Sequence, residues 1–399
     1  MSKINPLILA IKPGYIFSEI AARRTAYRKS HPDCDLINLG IGDVSEPLTA
    51  TVVDALKNAA DEMGKKIRGY GPELGYNFLR EKIAHTLFAG CAIEASEIFI
   101  SEGIATDLSS IRDLFSQACT IAICDPTYPA YLNTSMMRVP ESQIIRLPLL
   151  ETNGFVPQLP KEHADLIYLC SPSNPTGNAL TRAQLQGFVD YARANKSLII
   201  FDGAYEPFIT SKDVPHSIFE LPGADEVAIE LRSFSKGAGF TGLRCGYLTI
   251  PHKVRLWDGQ TPHLLNPLFA RTQESKTNGV SYPIQRAAEA ALSAEGLHET
   301  SAQIARYREA SALLKTGLTA LGYKAFGGID SPYIWVKTPE GLSSWEFFDQ
   351  LLNTHQMICL PGVGFGSCGE GFVRFSGFTE RSIIEKALTR LTKKECTYA

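Results

Sequence analysis

The segment Ser233-Phe234-Ser235-Lys236, with Arg244 eight positions beyond the lysine, gathers an amine, two small hydroxyls and a guanidinium. Glycines 237, 239 and 242 lie between them. The segment follows the run Val227–Leu231, which reads as a buried strand. A lysine at a strand end is open to partial burial, which lowers its pKa and leaves a nucleophilic amine suited to a Schiff base. Ser233, Ser235 and Arg244 can share one phosphate, the arginine with its planar fork. Read alone, the segment also fits an exposed loop lysine beside an unrelated arginine.

Four further segments follow apolar runs in the same way. Phe201-Asp202-Gly203-Ala204-Tyr205 ends one with a carboxylate. A buried carboxylate needs a cation or a strong donor. A pyridinium N–H is one such donor, and Tyr205 could then donate to a phenolate oxygen on the same ring. A helix N-cap is the other use of Asp202. Ser171-Pro172-Ser173-Asn174-Pro175-Thr176-Gly177 is a rigid turn that could aim the Asn174 amide, or an ordinary loop. Tyr128, in Asp125-Pro126-Thr127-Tyr128-Pro129, could lie flat over an aromatic ring. Ser101-Glu102-Gly103-Ile104-Ala105-Thr106 reads as a glycine turn opening a helix, whose free N–H groups suit an anion. Packing and capping account for the last two equally well. Arg374, inside the apolar run Gly371–Ser376, needs a partner: a substrate carboxylate or a structural Asp or Glu.

The elements that must position these residues are short apolar runs separated by helical stretches. Glu97–Ser101, Thr120–Cys124, Leu166–Cys170, Ser197–Phe201, Val227–Leu231 and Cys245–Ile250 are continuous apolar strands, as in a mainly parallel sheet covered on both faces. Thr181 and Gln184 form a capping box for a helix to about Asn195. Leu74, Phe78, Leu79, Ile83 and Leu87 keep one apolar helical face. The order predicts an α/β domain, with ligands at the carboxyl ends of the strands. After about Ser281 the texture becomes α+β: a helix over Glu299–Leu321, strands at Tyr333–Val336 and Phe372–Ser376, and a helix capped by Ser343 and Glu346. The expected division is an arm and part of a small domain over 1–40, a large domain over 41–285, and the rest of the small domain over 286–399.

The chain has 399 residues, 44% apolar and 20% charged, with a formal charge of −3. Without a basic excess, nucleic acid is not an expected partner. The cluster Arg23–Arg24 with Arg28–Lys29 reads as the solvated face of an N-terminal helix. Nine scattered cysteines include no Cys-x-x-Cys pair and no Cys/His cluster of zinc spacing, so no metal is expected. Those within apolar runs, such as Cys124 and Cys170, read as buried reduced thiols. No signal peptide and no membrane-length apolar run occurs, which makes the cytoplasm the expected compartment.

Taken in order, these segments with Tyr70-Gly71-Pro72-Glu73-Leu74-Gly75 resemble the fold-type-I aminotransferases, which use pyridoxal phosphate (PLP), over nearly the whole chain. The resemblance implies an aspartate-aminotransferase-like α/β fold and a homodimer acting on an amino acid and a 2-oxo acid. It implies that Lys236 forms the Schiff base and shuttles the proton. Asp202 then pairs the pyridine nitrogen, Asn174 and Tyr205 hold the ring oxygen, and Tyr128 stacks. Ser233, Ser235, Arg244 and the amides of Ile104 and Ala105 hold the phosphate, with Tyr70 from the neighbouring subunit. Arg374 clamps the substrate carboxylate.

A closer resemblance is to the LL-diaminopimelate aminotransferases. It is carried by Ile37-Asn38-Leu39-Gly40-Ile41-Gly42-Asp43, Glu46-Pro47-Leu48, Arg68-Gly69-Tyr70-Gly71-Pro72-Glu73 and Gly239-Phe240-Thr241-Gly242-Leu243-Arg244. Tyr15, Gly42, Tyr128, Asn174, Asn278 and Glu73 of the neighbouring subunit match that family's substrate contacts. The family works in lysine and peptidoglycan synthesis, with 2-oxoglutarate as partner substrate. One position departs from it: Ala105 stands where the family usually has a lysine that reads the distal end of the substrate. An aminotransferase for another amino acid, a PLP lyase, decarboxylase or oxidase, and a non-catalytic binding paralogue share parts of this pattern. The lyase, decarboxylase and oxidase share Lys236 and Asp202 and are not excluded by these motifs, whereas the complete catalytic set speaks against the non-catalytic paralogue.

Overall fold

A computed structural model describes residues 3–11 and 16–392. Its centre is a seven-stranded sheet: β1 (Ile98–Ser101), β2 (Ile121–Asp125), β3 (Ile144–Pro148), β4 (Leu166–Cys170), β5 (Leu198–Asp202), β6 (Ala228–Ser233) and β7 (Gly246–Thr249). The spatial order is β1-β7-β6-β5-β4-β2-β3. Strands β3, β2, β4, β5 and β6 run parallel, while β7 is antiparallel to both β6 and β1. Strand β2 and strand β5 are buried along their whole length, as continuous apolar runs require. All six expected strands form, within two residues at either end. Strand β3 was not foreseen. It is the half-exposed parallel edge, and its Ile-Ile-Arg-Leu-Pro lacks the continuous burial of the others.

Parallel pairing puts the carboxyl ends of β2, β4, β5 and β6 along one edge. The register sets Cys170 beside Asp202, and Asp202 beside Leu231. The segments 125–129, 171–177, 202–205 and 233–236 therefore leave the sheet side by side. The predicted capping box is present: Gln184 N donates to Thr181 Oγ1 and Thr181 N to Gln184 Oε1, opening the helix Arg182–Asn195.

The second sheet is antiparallel, β8 (Ala325–Gly327), β9 (Tyr333–Lys337), β10 (Leu360–Pro361) and β11 (Phe372–Ser376), in the order β8-β9-β11-β10. A 27-residue helix, Ala294–Ala320, leads into it. One apolar cluster joins Leu169 and Phe201 of the large sheet to Trp335, Val373 and Phe375 of the small one. The helix Ile16–Ser30 belongs to this seam: Ile16 and Ile20 are buried in the same cluster. The N-terminal basic cluster is thus only partly solvated. Arg23 pairs with Glu19 and Asp349 and lies over the Trp345 ring.

Candidate active site

A cavity of about 510 Å³ opens where the large sheet's carboxyl edge faces the small sheet. Its wall includes Gly42, Ile104, Ala105, Tyr128, Asn174, Asp202, Tyr205, Ser233, Ser235, Lys236, Arg244 and Arg374, which the sequence points to from separate segments.

Lys236 stands one turn beyond β6, and its Nζ donates to the Gly42 carbonyl. Burial pushes its pKa down to about 8, with Arg374 and Arg244 adding to the effect and Asp43 opposing it. A side chain at Gly42 would press on the site. A Cβ there would lie 3.1 Å from the Tyr333 hydroxyl and 3.3 Å from Arg374 Nη2.

Asp202 ends β5 and is buried. Its carboxylate accepts from the Tyr131 hydroxyl at 2.5 Å and from Ala204 N at 2.9 Å. No basic side chain hydrogen-bonds to it among the described residues. Burial pushes its pKa up to about 6, held from rising further by the Tyr131 hydrogen bond. Asp202 is therefore an anion short of one charged partner. Tyr205 shares a 2.8 Å hydroxyl contact with Tyr333.

At the other end lies an anion cradle. Gly103, at φ +112°, turns the chain into helix α1 (Ile104–Arg112). Thr106 and Asp107 donate to the Gly103 carbonyl, whereas the N–H groups of Ile104 and Ala105 precede the first helical donor and have no helical acceptor. The Arg244 guanidinium lies over this turn, 3.2 Å from where a Gly103 Cβ would be. It reaches Ser235 Oγ at 3.5 Å and the Thr241 carbonyl at 3.1 Å. Ser233 Oγ accepts from Ser235 N. Guanidinium, hydroxyls and free N–H groups thus converge on one spot.

Arg374, in β11, is 1% exposed. Neither an Asp nor a Glu holds it among the described residues, so a structural salt bridge is not its role. Nη1 donates to Asn174 Oδ1 at 2.7 Å and Nη2 to the Gly40 carbonyl at 3.1 Å, and the Tyr333 ring lies 4.0 Å from the guanidinium carbon. Nε is buried without an acceptor.

The family model for aminotransferases of class I and II matches residues 34–391. The chain belongs to this family. The class I and II aminotransferases depend on pyridoxal phosphate, and this enzyme is a PLP-dependent aminotransferase. Its residues fit the cofactor: an amine for the aldehyde, a buried carboxylate lacking a cation for the pyridinium, and an anion cradle for the phosphate. Among solved structures, the aminotransferase is similar to L,L-diaminopimelate aminotransferase from Chlamydomonas reinhardtii, at 40% identity over 98% of each chain and a TM-score of 0.92. An aromatic aminotransferase from Pyrococcus horikoshii is 25% identical over 91% of this chain and 96% of its own, with a TM-score of 0.80. A double mutant of Thermus thermophilus aspartate aminotransferase, 22% identical over 98% and 99%, shares the fold at a TM-score of 0.85.

Four expected residues of the aminotransferase are absent from the cavity wall. Tyr70 is 86% exposed. Glu73 is half-buried and Asn278 exposed, on loops that meet where a Gly279 Cβ would lie 2.6 Å from the Pro72 carbonyl. Tyr15 lies outside the described residues. Conversely, the wall includes Phe17, Asp43, Tyr131, Cys170, Ala204, Thr241 and Tyr333, to which the sequence reading gave no role in the site. Tyr131 carried a signal, since it falls one turn after Tyr128 on helix α2 (Pro129–Met136). Tyr333 carried none beyond opening a strand.

No described helix is long and apolar enough to cross a membrane. Among the described residues no metal-binding cluster occurs and eight cysteines are free. Cys124 is buried and Cys170 half-buried, while Cys396 lies outside the described residues.

Proposed function

We propose that this enzyme transfers an amino group from LL-diaminopimelate to 2-oxoglutarate in lysine and peptidoglycan synthesis. The observation that carries this reading is the 40% identity to an L,L-diaminopimelate aminotransferase along 98% of both chains.

Pyridoxal phosphate, when bound, supplies an aldehyde that condenses with amines and a ring that takes up electron density. In this reading Lys236 holds the aldehyde and Asp202 the pyridine nitrogen. Asn174, through the amide N–H₂ that faces away from Arg374, and Tyr205 hold the ring oxygen. Tyr128 covers the ring face. Ser233, Ser235, Arg244 and the N–H groups of Ile104 and Ala105 hold the phosphate. With a pKa near 8, Lys236 Nζ is partly neutral at pH 7 and can take the proton from the substrate's α-carbon. Arg374 binds the α-carboxylate, and its buried, unpartnered Nε supports that role. Gly42 lets the substrate approach this guanidinium.

The rest of the site comes from a second copy of the chain. Tyr70, 86% exposed, and the neighbouring Ile67, 90% exposed, are large side chains on a loop beside the site's expected complement, Glu73 and Asn278. A two-fold dimer that sets this loop over the partner's cavity completes the phosphate and distal substrate contacts, together with Tyr15. The free cysteines support a reducing, cytoplasmic compartment.

A broader substrate range is favoured by Ala105. Among the described residues, the basic side chains in the cavity wall are Lys236, Arg244 and Arg374. Lys276, a sequence neighbour of Asn278, is held by Asp113 at 2.7 Å and the Ser110 carbonyl at 3.0 Å. Selection of the distal carboxylate is weakened accordingly, so a singly carboxylated amino acid should also react. Half-reactions followed by the cofactor's absorbance, with LL-diaminopimelate and a panel of other amino acids, test the proposal. Conversion by LL-diaminopimelate is expected. Silence with it, alongside ready reaction of another amino acid, would refute the substrate while leaving the aminotransferase intact.

A further inference from the structure

Below the cavity lies a buried cation that the mechanism does not use. Arg112, on the last turn of α1, is 1% exposed, and none of its three guanidinium nitrogens has a hydrogen-bond partner among the described residues. Two buried hydroxyls in the same layer, Ser135 Oγ on α2 and Tyr168 OH on β4, are likewise unpartnered. The three belong together. The Arg112 charge acts on the Tyr168 phenol, and the Ser135 hydroxyl lies close to that phenol without hydrogen-bond geometry.

Among the described residues no carboxylate hydrogen-bonds to Arg112, although the Asp113 charge acts on it. Asp113, the next residue, is engaged by Arg138 at 2.5 Å and Lys276 at 2.7 Å. Cys119, within electrostatic reach, carries a thiol whose pKa burial raises, so it stays neutral. The Phe115 ring, 5.6 Å from the guanidinium carbon, presents a π face but no lone pair for the N–H groups. The helix end supplies a partial negative charge, yet no carbonyl accepts from Arg112. A guanidinium taken out of water with no acceptor is among the costliest buried groups. The guanidinium brings five N–H groups that only donate, and beside it are two hydroxyls and a thiol, which donate or accept but carry no charge. An anion accepts from the N–H groups and the hydroxyls and brings the counter-charge that water lacks.

We propose that Arg112, with Tyr168 and Ser135, holds a small monovalent anion of halide type between α1, α2 and β4. The site lies outside the substrate cavity but is connected to it. The Tyr168 ring stacks on Tyr131 (centroids 5.6 Å apart, 27° between planes), and Tyr131 donates to Asp202. The anion balances charge beneath the column of rings that supports this carboxylate.

The test uses the holoenzyme. Crystals grown in bromide should give an anomalous peak beside the Arg112 guanidinium. Thermal unfolding at constant ionic strength should shift up by about 3 °C when chloride replaces gluconate, since a ligand bound only by the folded state raises Tm. Arg112→Met should abolish the shift. Tyr168→Phe, which removes one donor to the anion, should raise the chloride midpoint roughly tenfold or more. Should Arg112→Met fail to fold, the bromide peak and Tyr168→Phe decide. Identical unfolding in both salts, a shift that survives in Arg112→Met, or electron density without anomalous signal each overturns the proposal.

Discussion

The Tyr131 hydroxyl donates to Asp202 Oδ2 at 2.5 Å, one turn along the helix from Tyr128. This hydrogen bond lowers the Asp202 pKa against burial, which raises it to about 6. Tyr131→Phe removes the donor, and a hydrogen bond to a charged group is worth roughly 1.5–3 kcal/mol. We expect kcat to fall tenfold or more and the acid limb of its pH profile to move to higher pH, with the cofactor still bound. An unchanged profile in steady-state kinetics would remove Tyr131 from the argument.

Asp202 also makes a prediction for the cofactor-free protein. Its folded pKa of about 6 lies above the ordinary 3.8 of the unfolded chain, so the folded state holds the proton more tightly. Stability from this group is present below about pH 4 and is lost as pH rises from there through 6. Asp202→Asn removes the titration. By urea unfolding at pH 7, the cofactor-free variant should be more stable than cofactor-free wild type, on the order of 2–3 kcal/mol. Equal stability at pH 4 and pH 7 in the wild type would contradict this.

Lys236 must be neutral to attack an aldehyde. Its pKa, lowered by burial to about 8, makes the rate of cofactor capture climb between pH 7 and 8 and level off above about 9. Stopped-flow absorbance on the cofactor-free protein measures this directly. Lys236→Ala should lose both turnover and the visible band. Full activity in that variant would end the central assignment.

Tyr70 and Lys236 should work from different subunits. Tyr70→Phe and Lys236→Ala proteins, each impaired, are expected to regain activity when mixed. The hybrid dimer has one site with both residues intact. Sedimentation at working concentration should give a dimer. A monomer, or no recovery on mixing, is the adverse result.

Ala105→Lys should raise the preference for LL-diaminopimelate over a singly carboxylated amino acid. A charge-assisted hydrogen bond of roughly 1.5–3 kcal/mol corresponds to about tenfold or more in the ratio of kcat/KM values. A ratio unchanged by the substitution would mean that position 105 does not face the distal end.

Much of the site was legible because each chemical group directly follows an apolar strand. Lys236, Asp202 and Asn174 are local features, and parallel pairing then aligns their segments whatever else the chain does. Tyr333 was not legible, because its place depends on pairing across the small sheet. Tyr333 lies opposite Ser376 and Trp335 opposite Arg374, so Tyr333 and Arg374 meet on the diagonal. The partner of Arg374 was missed for a similar reason. The guanidinium is held by an amide and a carbonyl, and neither announces itself as a counter-charge. Tyr70, Glu73 and Asn278 do not line the cavity of the single chain, so the fold of one chain leaves their relation to Lys236 to the mixing experiment.

Arg374 belongs to the four-stranded sheet, while Asp202 ends a strand of the seven-stranded one and Asn174 and Lys236 follow two others. The apolar seam holding Phe201 against Trp335 and Val373 therefore acts as a ruler for the chemistry. It sets the span between Arg374 and Lys236, and errors near 1 Å in a catalytic span can cost about a hundredfold in rate. Residues such as Ile20, which never meet substrate, thereby become calibrators of the reaction: trimming one changes the reach of Arg374 without changing any group that reacts.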